Sequence, residues 1–304
     1  MRRARAGVIC LTALVLLACG QSSPSTPTPT PTPSTCIPTP GAVCFGKQSY
    51  VEFVAGDFPV VISVPHGGAV APSNIPDRTG TTVTDSNTID LGRAIAQAFA
   101  TRTGRRPYLV ICHLRRTKLD ANRELAEAAQ GNADATTTWN EYHGFVELAM
   151  TTATSGSSRG FYIDLHGHGH PIQRLELGYL LSSSQLDMTD AQLNNGGYSS
   201  SSSLRLAMPL TSVTFVELLR GPSSLGGLLG ASTPSVPSPA ATSPGADPYF
   251  DGGYSTERHS ARLPGLQIES NFSGVRDTAA NRTAFAERLV TALASFLDTH
   301  IGVR

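Results

Sequence analysis

The feature that most restricts the fold of this chain is the order of its apolar segments. FPVVISV (58 to 64) is an apolar run suited to burial inside a sheet, and a second strand, YVEFV (50 to 54), precedes it. The segment SNTIDLGRAIAQAFATRTG (86 to 104) follows, with Ile89, Ile95 and Phe99 near helical spacing and Gly104 as its stop. RPYLVICHL reads as a strand, LDANRELAEAA as a loop entering a short helix, and TTWNEYHGFVELAMTTAT as a longer helix. Strands then recur at RGFYIDLH, LELGYLL and GLQIESNF, and the C-terminus TAANRTAFAERLVTALASFLDTH is an amphipathic helix carrying Phe285, Leu289, Leu293 and Phe296. Strand and helix alternating in this way predict an α/β sandwich around a mixed, mostly parallel sheet.

The N-terminal part reads differently. Residues 1–19 combine Arg2, Arg3 and Arg5 with an apolar stretch from Gly7 to Leu17, and LLAC ending at Cys19 resembles a bacterial lipobox. The expectation is an exported protein tethered to a membrane by lipid on Cys19. Residues 20–45, rich in Ser, Thr and Pro, have little to bury and are expected to form an extended spacer. That leaves 46–304 for one catalytic or binding domain, about 260 residues and enough for a single large core. In an oxidising compartment Cys36 and Cys44 are close enough to pair, whereas Cys112 in YLVIC reads as a buried core thiol. The chain carries 23 basic and 23 acidic side chains with no basic run after the signal, which argues against a nucleic-acid partner. Residues 221–253 are rich in Gly, Pro and Ser and read as a lid, a binding loop or plain surface chain.

Groups that could do chemistry collect at the carboxyl ends of the predicted strands: His66, the stretch from Asp120 to Arg123, His166 and Glu269. In open α/β sheets ligands bind in the crevice beyond those ends, so segments distant in sequence are expected to share one site. Two imidazoles and one carboxylate give a metal three protein ligands and leave a fourth place for water, the composition of catalytic zinc sites. His66 and His166 are the imidazoles; Asp85, just before the first helix, is the carboxylate, with Asp77 as its competitor. A free carboxylate nearby can accept the proton of an activated water. In IDLHGHGH the histidines alternate, so His166, His168 and His170 could share a face.

VPHGG (64 to 68), LDANRE (119 to 124), YIDLHGH (162 to 168) and LQIES (266 to 270), in this order, resemble the N-formylglutamate amidohydrolase family, distantly related to the zinc carboxypeptidases. The resemblance covers most of residues 58–300 and implies a three-layer α/β/α sandwich of the zinc-carboxypeptidase type. It implies Zn2+ held by His66, His166 and a carboxylate taken to be Asp85, with Glu269 as general base. Arg116, or else Arg115, would polarise the scissile carbonyl. Asn122 and Arg123 would hold an acidic group of the substrate, a carboxylate for which a guanidinium fork is suited. His168 and, from the long loop, Tyr254 with His259 are further candidate substrate contacts. The implied activity is hydrolysis of a C–N amide bond in a small acidic N-acyl amino acid or peptide.

Other readings remain beside this one. Arg123 could pair with Asp120 or Glu124, and His113 and His143 read as structural. Glu176 interrupts an apolar strand, where an unpaired charge is costly, and is expected to pair with Arg174 or His168. A non-catalytic surface lipoprotein with a degenerate site is the alternative. A serine hydrolase is a minor one, because GSSRG fits G-x-S-x-G, but Ser158 follows a helix and precedes a strand, the reverse of a nucleophile elbow.

Overall fold

The computed structural model describes Cys36 and residues 39–304. The expected export signal, Cys19 and most of the spacer lie outside the described residues. One sheet of eight strands crosses the domain: β1 (Val43–Phe45), β2 (Val51–Val54), β3 (Val60–Val64), β4 (Tyr108–Cys112), β5 (Phe161–Gly167), β6 (Leu175–Gly178), β7 (Ser235–Val236) and β8 (Gly265–Ser270). Their spatial order is β1-β2-β4-β3-β5-β8-β6-β7. The central strands β4, β3, β5 and β8 are parallel neighbours, while β1, β2 and β6 run antiparallel to the strands they meet towards the centre, which makes the sheet mixed as expected.

The helices are α1 (Thr88–Thr103), α2 (Leu125–Ala129), α3 (Ala133–Ala153), α4 (Ser183–Leu186), α5 (Asp190–Asn195), α6 (Tyr198–Ser201), α7 (Phe215–Arg220), α8 (Leu225–Leu229), α9 (Tyr254–His259) and α10 (Ala279–Phe296). Side chains alternate across a strand, so each central strand feeds two cores. Val60, Ile62, Val64, Ile163 and Leu165 join the core beneath α1 and α10, which α4 to α8 extend past β8. Val61, Val110, Cys112 and Tyr162 join the core beneath α3. Helices on both faces of the sheet give the three layers.

Connections decide where a site can form. From β3 the chain crosses through α1 on one face to reach β4, then returns through α3 on the other face to β5, on the far side of β3. The β3–β5 boundary is therefore the switch point, where the two loops diverge and open a crevice at the strand carboxyl ends. His66, two residues beyond β3, and His166, near the end of β5, stand on its two sides.

The cysteines follow the reading of the sequence, while several segments depart from it. Val43–Phe45, within the expected spacer, pairs with β2 and extends the sheet, and Cys36 is bonded to Cys44, which fastens the incoming chain to that edge strand. Cys112 is wholly buried, and burial pushes its thiol up to about 12. The strand expected over LELGYLL stops at Gly178, because Leu180 turns with φ 62° and the Asp251–Gly252 backbone lies where a side chain on Gly178 would sit. Residues 183–229 form five short α-helices and one 3-10 turn at Met208–Leu210. Three of them begin with reciprocal capping boxes, Ser182 with Gln185, Thr189 with Gln192 and Thr214 with Glu217.

Candidate active site

His66, Asp85 and His166 come together beyond β3 and β5, one donor atom from each lying within 4.8 Å of the others. Asp85 Oδ2 is 3.5 Å from His66 Nδ1 and 3.2 Å from His166 Nδ1. It is placed there by the turn into α1, whose first residues bond back to it: Thr88 Oγ1 and the Thr88 N–H both donate to the Asp85 carbonyl. Asp77, the competing carboxylate, is exposed and paired with Lys118 at 2.9 Å. All three gathered side chains are buried, with His66 1%, His166 2% and Asp85 6% exposed.

The outer nitrogens of both imidazoles are occupied by carboxylates. His66 Nε2 lies 2.6 Å from Asp120 Oδ1, and His166 Nε2 lies 3.1 Å from Asp164 Oδ2. A neutral imidazole that donates through Nε2 has its lone pair on Nδ1, so both lone pairs point towards Asp85. Nδ1 of His66 is buried without a hydrogen-bond partner. Three acceptors thus converge in a region of low dielectric, and only protons or a cation between them relieve the repulsion. The titration behaviour shows the same field. Burial alone would lower His166, yet Asp164 beside it, helped by Asp85 and Glu269, holds the imidazole well above its usual range. Burial likewise opposes the charge on Asp85, but His166 and His66 keep its carboxyl well below the usual range.

These residues fit a divalent metal. Two ligands bound tetrahedrally at about 2.0–2.2 Å lie roughly 3.4 Å apart, close to the 3.2 and 3.5 Å separations from Asp85 to the two imidazoles. The carboxylate behind each imidazole supplies the outer contact that fixes ring orientation and raises basicity. Asp164 is itself fixed by Ser63 Oγ at 2.7 Å and Thr256 Oγ1 at 3.3 Å.

Glu269 pairs in register with His166 across β5 and β8, and its Oε1 is 3.9 Å from His166 Nδ1. Gln267 Nε2 donates to Oε1 at 2.9 Å, while Oε2 is buried without a partner. Burial, with Asp85, Glu176 and Asp164 nearby, pushes the Glu269 carboxyl up to about 8 against the pull of His166. Arg116 donates through Nε to Asp120 Oδ2 at 2.9 Å, and its Nη1 stands 4.0 Å from Asp85 Oδ1, so Arg116 belongs to this centre while Arg115 is exposed. Asn122 Nδ2 lies 3.4 Å from His166 Nε2, and its Oδ1 accepts the Ser255 N–H at 2.7 Å.

The remaining candidates lie further out. Arg123 is half-buried and donates to Glu127 at 3.2 Å and to the Asn122 carbonyl at 2.9 Å. Tyr254 takes a hydrogen bond from Arg258 and packs its ring towards Trp139 and His143. His168 uses both ring nitrogens inside its own loop: Nε2 donates to the Arg174 carbonyl at 2.8 Å and Nδ1 accepts the His170 N–H at 3.1 Å. Glu176 is bonded by neither Arg174 nor His168. It is held by His170 Nδ1 at 2.7 Å and by the Phe250 N–H at 2.8 Å, because β6 runs antiparallel to β8 and brings it beside Glu269, facing the loop around Phe250. His113 and His143 are structural, His113 on Glu52 and His143 between the Ala121 carbonyl and His259. His259 is thereby engaged in the core. Ser158 sits in the turn before β5, at the opposite end of that strand from His166.

Two contributors were not legible as site residues from composition: Asp164, two residues before His166 on the same strand face, and Arg276, just past β8. The period of two was the available signal for Asp164.

Fold and site together define a class: a three-layer α/β sandwich with a carboxylate-backed pair of histidines at the switch point of its sheet. No protein-family model and no curated protein match the chain. Among solved structures, a gene product of Agrobacterium tumefaciens is 16% identical, with a TM-score of 0.46 over 81% of this chain and 95% of its own. An N-formylglutamate amidohydrolase from Ralstonia eutropha is 14% identical, with a TM-score of 0.46 over 86% of this chain and 98% of its own.

Proposed function

We propose that this protein is a metal-dependent hydrolase that cleaves a C–N amide bond in a small acidic N-acyl amino acid or peptide. The observation that carries the reading is the convergence of His66 Nδ1, Asp85 Oδ2 and His166 Nδ1, with Asp120 and Asp164 bound behind the two imidazoles. Those three residues would hold Zn2+, which supplies a Lewis acid that makes water nucleophilic near neutral pH and polarises a carbonyl.

The chain's own groups account for the rest. Oε2 of Glu269, unpartnered and buried, takes the proton of the attacking water and returns it to the leaving nitrogen. Burial, which holds this carboxyl up, favours return of the proton, and a cation at the neighbouring ligands would favour the ionised form that accepts it. Arg116 is fixed through Nε on Asp120 and through Nη1 near the Val83 carbonyl and Asp85, and its Nη2 is the donor for the charge that grows on the carbonyl oxygen. Arg123 is anchored through Nη1 on the Asn122 carbonyl, and its ion pair with Glu127 is a surface contact of the kind that contributes little to stability, so a substrate carboxylate can exchange with Glu127 for it. Asn122 stands beside it facing His166.

The lipobox-like LLAC supports a site of action in the cell envelope, with Cys19 as the tether. An acidic N-acyl amino acid or peptide outside the cytoplasm is then the substrate. Metal analysis of the purified domain, with Glu269→Gln compared against wild type on a panel of N-acyl amino acids and peptides, tests the reading. One equivalent of zinc and a loss of at least about 100-fold in kcat are expected. Ligand binding that is indifferent to chelation, without hydrolysis, would replace it with a non-catalytic binding protein.

A further inference from the structure

Just past β8 one arginine reaches back under the whole centre. Arg276 is 3% exposed, and its guanidinium donates to three backbone carbonyls on three separate segments. Nε donates to Ser270 at 2.9 Å, Nη2 to His168 at 2.8 Å, and Nη1 to Ser86. Each carbonyl lies within two residues of a group assigned to the site: Ser86 follows Asp85, His168 is two residues after His166, and Ser270 follows Glu269. Its own carbonyl accepts from Asn87 Nδ2 at 2.9 Å and Arg282 Nη1 at 2.8 Å, which binds the arginine to the starts of α1 and α10.

We infer that Arg276 is the positioning residue of the candidate metal centre, a single guanidinium that fixes the spacing of the Asp85, His166 and Glu269 segments. The inference rests on the metal-site reading above. A guanidinium presents five N–H donors in a rigid planar fork, so it can bridge three acceptors at set angles, whereas an ammonium is one point on a flexible stem. No strand pairing links the Asp85 loop to β8, and backbone bonds hold the His168 N–H to the Ser270 carbonyl only at the end of the ladder. The arginine closes this triangle.

Gly167 supports the same conclusion independently. A Cβ at that position would fall 2.3 Å from Arg276 Cζ and 2.4 Å from Nε, so the absence of a side chain between His166 and His168 is what lets the guanidinium lie against β5. Gly167 also donates its N–H to Asp85 Oδ2 at 3.1 Å, so the glycine joins ligand and clasp. Phe272, itself exposed, lies against the guanidinium with its ring centroid 5.5 Å from Cζ.

The test is zinc binding to Arg276→Lys, Gly167→Ala and the control Phe272→Leu. Affinity is measured by competition with a chromophoric chelator, and the midpoint of thermal unfolding is recorded with and without zinc. Residues that orient ligands from outside typically cost about 10–100-fold in metal affinity when replaced. Both Arg276→Lys and Gly167→Ala are expected to weaken zinc by that factor and to shrink the zinc-induced rise in midpoint, with Phe272→Leu matching wild type. A purely structural arginine would lower both midpoints together and leave their difference unchanged, and that result would overturn the inference. Should Arg276→Lys not fold, Gly167→Ala, which keeps the arginine but displaces it, decides alone. If wild type itself takes up no zinc, the metal reading falls and this inference with it; wild-type binding with equal binding by both variants sinks the inference only.

Discussion

His166, His168 and His170 stand two residues apart, yet they do three different things, and the difference lies in where the strand ends. His166 is still in β5, beside Glu269 in register and two residues from Asp164 on the same face. His168 and His170 lie beyond it, where the chain folds back, so one closes its own loop and the other binds Glu176. Alternation in the sequence marked the candidates but could not say where the alternation stops. The choice between Asp85 and Asp77 was open for a similar reason: a helix start identifies a location along the chain, and only the fold shows that Asp77 faces Lys118 and solvent. Alanine at His166 should therefore abolish zinc uptake, while alanine at His170 should leave affinity within about threefold of wild type, well short of the effect of losing an outer-shell group. Titration of each variant with zinc against a competing chelator checks this, and equal losses would refute the assignment. Asp164→Asn keeps the shape behind His166 and removes the charge. A weakening of about 10–100-fold is expected, read in the same assay.

The long, strongly patterned elements were readable: β3, α1, β4, α3, β5, β8 and α10 fall where their periodicity puts them. The helices between Ser182 and Leu229 were not, because each is only one or two turns long and shows no full amphipathic period. Their start signals, SSSQ, TDAQ and TFVE, are nonetheless capping boxes in plain view. The short α9 was missed likewise, and it carries His259, one of two buried histidines in contact. His259 in α9 donates to His143 in α3, Nε2 to Nδ1 at 2.9 Å, and His143 donates onward to the Ala121 carbonyl. Burial, reinforced by Arg258, pushes His259 down to about 3, and burial with His259 and Arg258 lowers His143 as well. Both stay neutral when folded and gain protons only when unfolded, so the unfolded state binds more protons between their folded values and about 6.5. The contribution of this pair to stability should then be flat above about pH 6.5 and fall as pH drops below it, His259 alone accounting for about 2 kcal/mol at pH 5. Denaturant unfolding of His259→Gln and wild type from pH 4.5 to 8 measures this. The variant should show a shallower slope below pH 6.5, and parallel curves would contradict the buried neutral pair.

Across the whole molecule, the parts of the candidate centre come from five places in the chain: the loop after β3, the turn before α1, the segment after β4, the end of β5 and the end of β8. No local pattern encodes their meeting. What brings them together is the topology, since parallel central strands deliver their carboxyl ends to one edge and the reversal between β3 and β5 parts the loops there. The cost of that arrangement is a buried concentration of carboxylates, Asp85, Asp120, Asp164, Glu176 and Glu269, all at most 6% exposed. The groups that offset it belong to separate segments: Arg78 and Arg116 beside Asp120, Arg276 on three carbonyls, and the imidazoles of His66 and His166 hydrogen-bonded to Asp120 and Asp164. A divalent ion bound at His66, Asp85 and His166 would therefore join β3, α1 and β5 across the switch point, and it would do so only in the folded chain. Ligands that bind only the folded state stabilise it by about 2.7 kcal/mol at one hundred times their dissociation constant. For a domain of this size that corresponds to a rise of roughly 5–10 °C in the unfolding midpoint. Chelation should remove this increment from wild type, zinc should restore it, and His166→Ala should show neither response. A midpoint of wild type that ignores both chelator and zinc would mean that protons, rather than a metal, balance the carboxylates of this centre.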